Sequence, residues 1–400
     1  MSTVGPFDGR NSRDGRNARD GRNSRDGRNS RDDIYHPGGP SSTQLSSALM
    51  TSMQGIGAQA DFKYKERRLN VSSYLSLRLS KDFQDFARHE EFYRQVILDH
   101  HLGRLFDPLG GSFDLNINGA RDIPIFTTTL PSTPSDLNKL FLESQLGYMK
   151  MHLLLRDERF DEIQVQQTDM LSFFGALAPI DDSRTPWTQA LLRAVLRLGT
   201  NIIIPIKHKI NATRPNVFLP EIMPPIQTPT HGSLPSGHAF QSYLVATVLA
   251  ALTTENVEAV EGNTASKFSV QALDNKQEFL LIMASRISYN RTIAGLHYPI
   301  DNWIGAIMGI IVGEFLVNSI ADTKKTRCAS LDISPEEISD DEEGGGMVLI
   351  KEADFRDDLD QISNLNNVVG NTYTDISDVN VPPVLSDLWK LSRLEMQSPS

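Results

Sequence analysis

Apolar residues recur at helical spacing through the middle of the chain and thin out towards both ends. The first periodic stretch, Ser72–Phe106, places Tyr74, Leu77, Leu79, Phe83, Phe86, Phe92, Val96 and Ile97 on helix-like faces, which predicts one or two helices. From Phe106 to Thr129, Pro, Gly-Gly and the alternating Phe113, Leu115 and Ile117 predict a loop with a short hairpin, closed by Pro131 and Pro134. Helical patterning then dominates. Ser135-Asp136 caps a helix over Leu137–Leu155, and a second amphipathic helix runs from Asp161 to Leu177. Thr185-Pro186 opens a third helix that reaches about Ile210 and carries a kinking Pro205. Three more are expected over 237–254, 273–289 and 299–320. The strand signal is thin, so the pattern predicts an all-α helical bundle.

The ends read differently. Residues 8–31 repeat the hexad Asp-Gly-Arg-Asn-Ser-Arg four times, with Ala18 once in place of Ser. A segment whose one apolar residue is Ala18 cannot bury a face to offset the entropy of ordering, so it reads as a disordered tail. Gly, Pro and Ser continue as linker to about Ala58. Late in the chain, Ser334 to Glu343 is acidic and runs into Gly344-Gly345-Gly346, a solvated linker. Beyond it, Leu385, Leu388, Trp389, Leu391 and Leu394 are spaced for a short helix that docks on the bundle or on a partner. The expected divisions are therefore 1–58 repeat tail and linker, 59–134 a helical and loop region packed on the bundle, 135–324 the bundle, and 325–400 acidic linker and tail.

Charge and cysteine narrow the classes. A formal net charge of −11 argues against nucleic acid or an anionic surface as a partner. The one cysteine, Cys328, forms no disulfide within the chain, and the first thirty residues hold no apolar signal region. The uncharged apolar runs Tyr243–Leu252 and Trp303–Gly313 fall short of the roughly 18 residues a spanning helix needs. These readings predict a soluble, cytoplasmic protein without a membrane span, with a homo-oligomer left open. His100-His101 reads as a polar surface pair and His152 as a satisfied core or boundary histidine.

The chemistry lies in three blocks. Leu234-Pro235-Ser236-Gly237-His238-Ala239 is a helix start, with Ser236 as N-cap and orphan N–H groups that favour an anion. Upstream is Lys207-x6-Arg214-Pro215, where the seven-residue spacing puts both cations on one face if one helix carries them. Downstream is Arg291-x5-His297-x3-Asp301. Lys207, Arg214 and Arg291 together suit a multiply charged tetrahedral oxyanion, and arginine's planar fork suits paired oxygen contacts. Asp301 is placed to accept from His297 Nδ1–H and so raise basicity at Nε2. His238 is suited to general acid–base work.

These blocks resemble the signature motifs shared by vanadium-dependent haloperoxidases, bacterial class A acid phosphatases and type 2 phosphatidic acid phosphatases. The resemblance covers about residues 190–320. It implies that His297 Nε2 is either the ligand of vanadate or the nucleophile that forms a phosphohistidine. It also implies that Lys207, Arg214, Ser236, Gly237 and Arg291 bind the equatorial oxygens and that His238 moves protons. One departure is visible: the family usually has Ser where this chain has Asn290. Pro229-Thr230-His231-Gly232-Ser233-Leu234 looks like the haloperoxidase pattern, and His231 matches the second active-site histidine of bromide- and iodide-type enzymes. The leading expectation is thus a vanadate-dependent haloperoxidase that takes hydrogen peroxide, halide and a small organic acceptor. A phosphatase acting on phosphomonoesters without a cofactor is the second, and a non-catalytic oxyanion-binding module the third.

Overall fold

The computed structural model describes residues 42–57, 77–107, 115–117, 124–129, 144–254, 268–270, 273, 275–323, 325–332 and 372–397. The hexad repeats and the acidic Gly-terminated run lie outside these residues. The described elements, in chain order, begin with helices α1 (Ser42–Gly57), α2 (Lys81–Ala87) and α3 (Glu91–Gly103), then strands β1 (Phe106–Asp107), β2 (Leu115–Ile117) and β3 (Pro124–Thr129). Next come α4 (Ser144–His152), α5 (Arg156–Val165), α6 (Leu171–Gly175), α7 (Pro186–Ile210) and α8 (Pro215–Phe218). The bundle closes with α9 (Gly237–Thr253), α10 (Asn275–Ile293) and α11 (Pro299–Ile320), followed by β4 (Lys325–Arg327), β5 (Ala329–Asp332), β6 (Tyr373–Asp375) and α12 (Pro383–Gln397). Among the described residues helix accounts for 67% and strand for 7%, so the all-α expectation holds.

Helix α9 is the axis of the bundle, packed by α7, α10, α11 and α12. Its closest neighbour is α11, and the reason is a glycine seam. Gly305, Gly309 and Gly313 recur every fourth residue and so lie on one face of α11. A Cβ at Gly305 would stand 2.6 Å from the Ser236 carbonyl oxygen, and one at Gly309 would stand 2.5 Å from that of Phe240. At Gly313 the obstacle is Thr247 Cβ, at 2.7 Å. Only hydrogen on that face lets the two backbones approach this closely. The consequence is positional, because the seam draws the start of α9 onto the start of α11, where Ser236 N–H donates to the Asp301 carbonyl at 2.8 Å.

Several elements depart from the sequence expectations. Residues 42–57 form a helix where composition reads as linker. Leu45, Ala48 and Ser52 are buried on one face, spaced three and four apart, and the Ser47 hydroxyl donates to Asp161 on α5. The expected Asp161–Leu177 helix is two helices, α5 stopping at Val165 and α6 starting at Leu171, where Ser172 N–H and Oγ–H donate to the Asp169 carboxylate at 3.0 and 2.6 Å. The short hairpin is present as β1 and β2, which continue into β3. Strand β3 then pairs in parallel with β5, more than two hundred residues later (Phe126 opposite Ala329), a pairing that local pattern does not reveal. His152 ends α4 as a satisfied boundary histidine, with Nδ1 2.8 Å from the Tyr148 carbonyl oxygen.

The C-terminal helix docks on the bundle. Leu385, Leu388, Trp389 and Leu391 are buried, and α12 packs on α7 and α9. It also supplies a cap. The Glu395 carboxylate accepts from Trp187 N–H at 3.0 Å and Thr188 N–H at 2.7 Å, the orphan donors at the start of α7. Burial raises the Glu395 carboxyl above its ordinary value.

The absence of a membrane-length helix, and with it the soluble and cytoplasmic assignment, is corrected by the structure. Pro299–Ile320, at 22 residues, and the segment Pro186–Phe218, at 33, are long and apolar enough to cross a membrane. The apolar run in the sequence stops at Glu314, but the helix does not. Inside the protein the Glu314 carboxylate pairs with Arg327 (Nε–Oε2 2.7 Å, Nη2–Oε1 2.5 Å) and accepts Val270 N–H at 2.8 Å. Both helices are also packing helices here, the apolar window of α11 being wholly buried and that of Pro186–Phe218 67% buried.

Gly309→Val is expected to cost about 1–3 kcal/mol by forcing the seam apart, read as a lowered unfolding midpoint. Removal of residues 1–58 is expected to lower that midpoint relative to removal of 1–41, because it takes away the buried face of α1. Equal midpoints would show that α1 contributes no packing energy.

Candidate active site

The three sequence blocks meet at one pocket, with a cavity volume of about 60 Å³. Lys207, Arg214, His231, Gly237, His238, Arg291 and His297 line it, together with Gln167, Gln241, Leu296 and the 226–230 loop. Ser236 and Asp301 are buried and stand behind the wall. The Ser236 hydroxyl caps α9, accepting Ala239 N–H at 3.4 Å. Of the donors expected there, Gly237 at the helix start reaches the pocket.

Lys207 and Arg214 reach the same pocket without sharing a helix. Helix α7 ends at Ile210, Asn211 adopts a left-handed conformation (φ 48°), and Arg214 sits extended before Pro215 (φ −76°, ψ 152°). Pro215 disfavours the α conformation at the residue before it, which frees Arg214 to turn inward. Lys207 Nζ donates to the carbonyls of Gly232 and Ser233 at 3.0 and 2.7 Å. Arg214 donates to the carbonyls of Leu296 at 2.8 Å and His231 at 3.2 Å. Its Nη1 lies 3.3 Å from His297 Nε2, and its Nη2 3.3 Å from His231 Nδ1. The turn that delivers Leu296 and His297 passes through Gly295 at φ +75°, a conformation open to glycine.

His297 is held from behind. Its Nδ1–H donates to Asp301 Oδ2 at 3.1 Å, which leaves the Nε2 lone pair on the pocket side. Asp301 is the third residue of α11, and the same oxygen accepts Tyr298 N–H at 3.1 Å, a reach-back that also fixes the helix start. A further partner was not visible in the blocks. The Ser233 hydroxyl donates to Asp301 Oδ2 and lies 3.4 Å from His297 Nδ1. Ser233 is separated from Asp301 by 68 residues and by a loop, so no spacing rule marks it.

The electrostatics favour a neutral imidazole. Burial holds His297 well below its ordinary value, and the neighbouring charges of Arg214 and Lys207 push in the same direction. Burial raises Asp301 to about 6, opposed by the Ser233 hydrogen bond and the Lys207 charge. At neutral pH this gives an ionised Asp301, a neutral His297 with Nε2 unprotonated, and three cations around it.

His238 lies in the first turn of α9. Its Nε2–H donates to the Gln166 carbonyl at 3.0 Å, so a proton exchanged with a ligand passes through Nδ1. Arg291 Nη2 donates to Gln166 Oε1 at 2.8 Å and to the Ile163 carbonyl at 3.3 Å. Asn290, where the resemblance leads one to expect Ser, donates through Nδ2 to Glu162 at 3.0 Å and Gln166 at 3.1 Å. Gln166 and Glu162 were also missed in the sequence, being 125 and 124 residues from the groups they hold, Arg291 and Arg286.

Residues 189–325 match the family model of the PAP2 superfamily. The matched segment contains all three blocks and every residue of the Lys207, Arg214, His238, Arg291 and His297 set. The superfamily covers both phosphatases and haloperoxidases, so the match leaves both activities open. It also points in the same direction as the two membrane-length helices, because proteins of this superfamily are often membrane-associated. No curated protein matches the chain.

Asp301→Asn is expected to lower turnover roughly 10- to 100-fold, the usual effect of losing an outer partner of a functional histidine. In the wild type, activity should fall as pH drops through about 6, where Asp301 takes up a proton and His297 loses its charged acceptor. That acid limb should be absent from the residual activity of Asp301→Asn. Its persistence there would assign it to another group.

Proposed function

We propose that the chain is an enzyme that holds a tetrahedral oxyanion against His297 Nε2. The observation that carries this reading is one neutral buried histidine, backed by a carboxylate and faced by Lys207, Arg214 and Arg291. Simple anion binding needs cations and donors, but it needs neither an oriented imidazole nor a second histidine at a helix start. Preorganised donors of this kind stabilise a trigonal-bipyramidal oxyanion in a low-dielectric pocket.

The finer reading is a vanadium-dependent haloperoxidase, bromide- or iodide-type. What supports it is His231, which lines the pocket beside Arg214 in the place given by the haloperoxidase pattern. The donor set fits vanadate: His297 Nε2 would supply a nitrogen ligand, and Lys207, Arg214, Arg291 and the Gly237 helix start would hold the anion. Bound vanadate supplies a Lewis-acidic centre that activates hydrogen peroxide towards halide. The chain's own part is to hold the anion, keep Nε2 unprotonated and pass protons at His238 Nδ1. His231 stands at the pocket wall beside Arg214.

A second reading uses the same residues. In a phosphatase, His297 Nε2 attacks phosphorus, the bond to the ester oxygen breaks, and His238 gives that oxygen its proton. Water then attacks the phosphohistidine, returns a proton to His238 and releases phosphate. The two membrane-length helices favour keeping this reading, because a chain at a membrane would meet phosphorylated lipids as substrates.

One assay separates the two. Protein stripped of phosphate is divided, and one part receives orthovanadate and is tested for peroxide-dependent bromination of a dye. The other, without vanadate, is tested for hydrolysis of a chromogenic phosphomonoester. Bromination far above free vanadate is the expected result, and hydrolysis that vanadate inhibits would establish the phosphatase. Binding of oxyanion with neither activity would favour the non-catalytic module. His297→Ala is expected to abolish turnover in either case, and retained activity would overturn the assignment of the site.

A further inference from the structure

The break between α5 and α6 places one residue under two parts of the pocket at once. Gln166 is fully buried at the end of α5, outside the residues matched by the family model. Its side-chain oxygen accepts from Arg291 Nη2 at 2.8 Å and from Asn290 Nδ2 at 3.1 Å. Its main-chain oxygen accepts from His238 Nε2 at 3.0 Å. A continuous helix would spend that carbonyl on the N–H four residues on; the stop after Val165 releases it to the histidine. The amide nitrogen has no hydrogen-bond partner among the described residues, so the two donors alone set which way the amide faces.

We propose that Gln166 is a positioning residue for the oxyanion pocket. Its side-chain carbonyl aims Arg291 without cancelling the arginine's charge, and its main-chain carbonyl holds His238 with Nδ1 as the exchanging nitrogen. This rests on the oxyanion reading of the site given above. The chemistry of the layer below supports it. Among the described residues the carboxylate there is Glu162, which pairs with Arg286 through two bonds of 2.9 and 2.7 Å. Arg291, which faces the pocket, takes a neutral acceptor from Gln166. A carboxylate at 166 would hold the same guanidinium more tightly but draw its field away from the bound anion. Asn290 fits the same arrangement, since its two N–H bonds reach Glu162 and Gln166 together, which a single hydroxyl donor cannot do. The departure from Ser at that position is thereby matched to Gln166.

The test is calorimetric titration of the full-length chain with orthovanadate and with inorganic phosphate, alongside its unfolding midpoint. Gln166→Glu keeps the main-chain carbonyl and an acceptor of the same size. It is expected to weaken oxyanion binding at least about tenfold, the low end for outer-layer partners, while the midpoint stays level or rises. A merely structural role predicts the opposite pairing, with affinity retained or lost only together with stability. Weakening below tenfold in folded Gln166→Glu would overturn the proposal. Should that variant fail to fold, Gln166→Met, which keeps the volume and removes the acceptor, is read against the same threshold. If the wild-type chain binds neither anion, the oxyanion reading fails and this proposal falls with it. If the wild type binds and Gln166→Glu binds equally well, only the role of Gln166 is lost.

Discussion

The site depends on how closely two helix backbones can approach. Three glycines on one face of α11 let α9 lie against it at distances that any Cβ would forbid. This contact is made at the functional end of both helices. Ser236 N–H reaches the Asp301 carbonyl, which brings the helix start carrying Gly237 and His238 next to the histidine–aspartate pair. Dispersion and burial along the seam are individually small but collectively large, and here they also determine the separation of His238 from His297.

Around that contact the charges are arranged in two layers. Facing the pocket are cations held by neutral groups: Lys207 and Arg214 on main-chain carbonyls, and Arg291 on a main-chain carbonyl and an amide. Behind them stand the carboxylates, Asp301 on His297 and Glu162 on Arg286. The separation matters because a carboxylate in the front layer would compete directly with an anionic ligand. The same separation explains the state of His297. Buried, and beside the positive charges of Arg214 and Lys207, the imidazole resists protonation, which keeps a proton off Nε2. Placing Asp301 behind the ring directs the one ring proton to the side away from the pocket.

Peripheral segments are tied into this frame by polar contacts. Glu395 caps the start of α7, the helix whose far end bears Lys207. Glu314, within α11, pairs with Arg327 on β4 and accepts Val270 N–H. Helix α1 docks on α5, the helix that ends in Gln166. The matched family segment thus receives support from chain on both sides of it, including the amide under Arg291.

The sequence by itself determined the helical class, the positions of α7, α9, α10 and α11 to within a few residues, and the three blocks that carry the chemistry. These features are local. Helical periodicity, Ser236 as a cap, Pro186 and Pro299 at helix starts, and Pro215 turning Arg214 out of a helix all act over a few residues. The glycine spacing in α11 was equally open to view, though its meaning depends on the helix it faces. Only the tertiary structure decided that Ser233 completes the His297–Asp301 pair, that Gln166 supports both Arg291 and His238, and that Ser236 caps rather than lines the pocket. It also decided that Glu314 is buried within its helix and paired with Arg327. Most of these turn on a partner many tens of residues away, and burial beside such a partner changes what a polar side chain does.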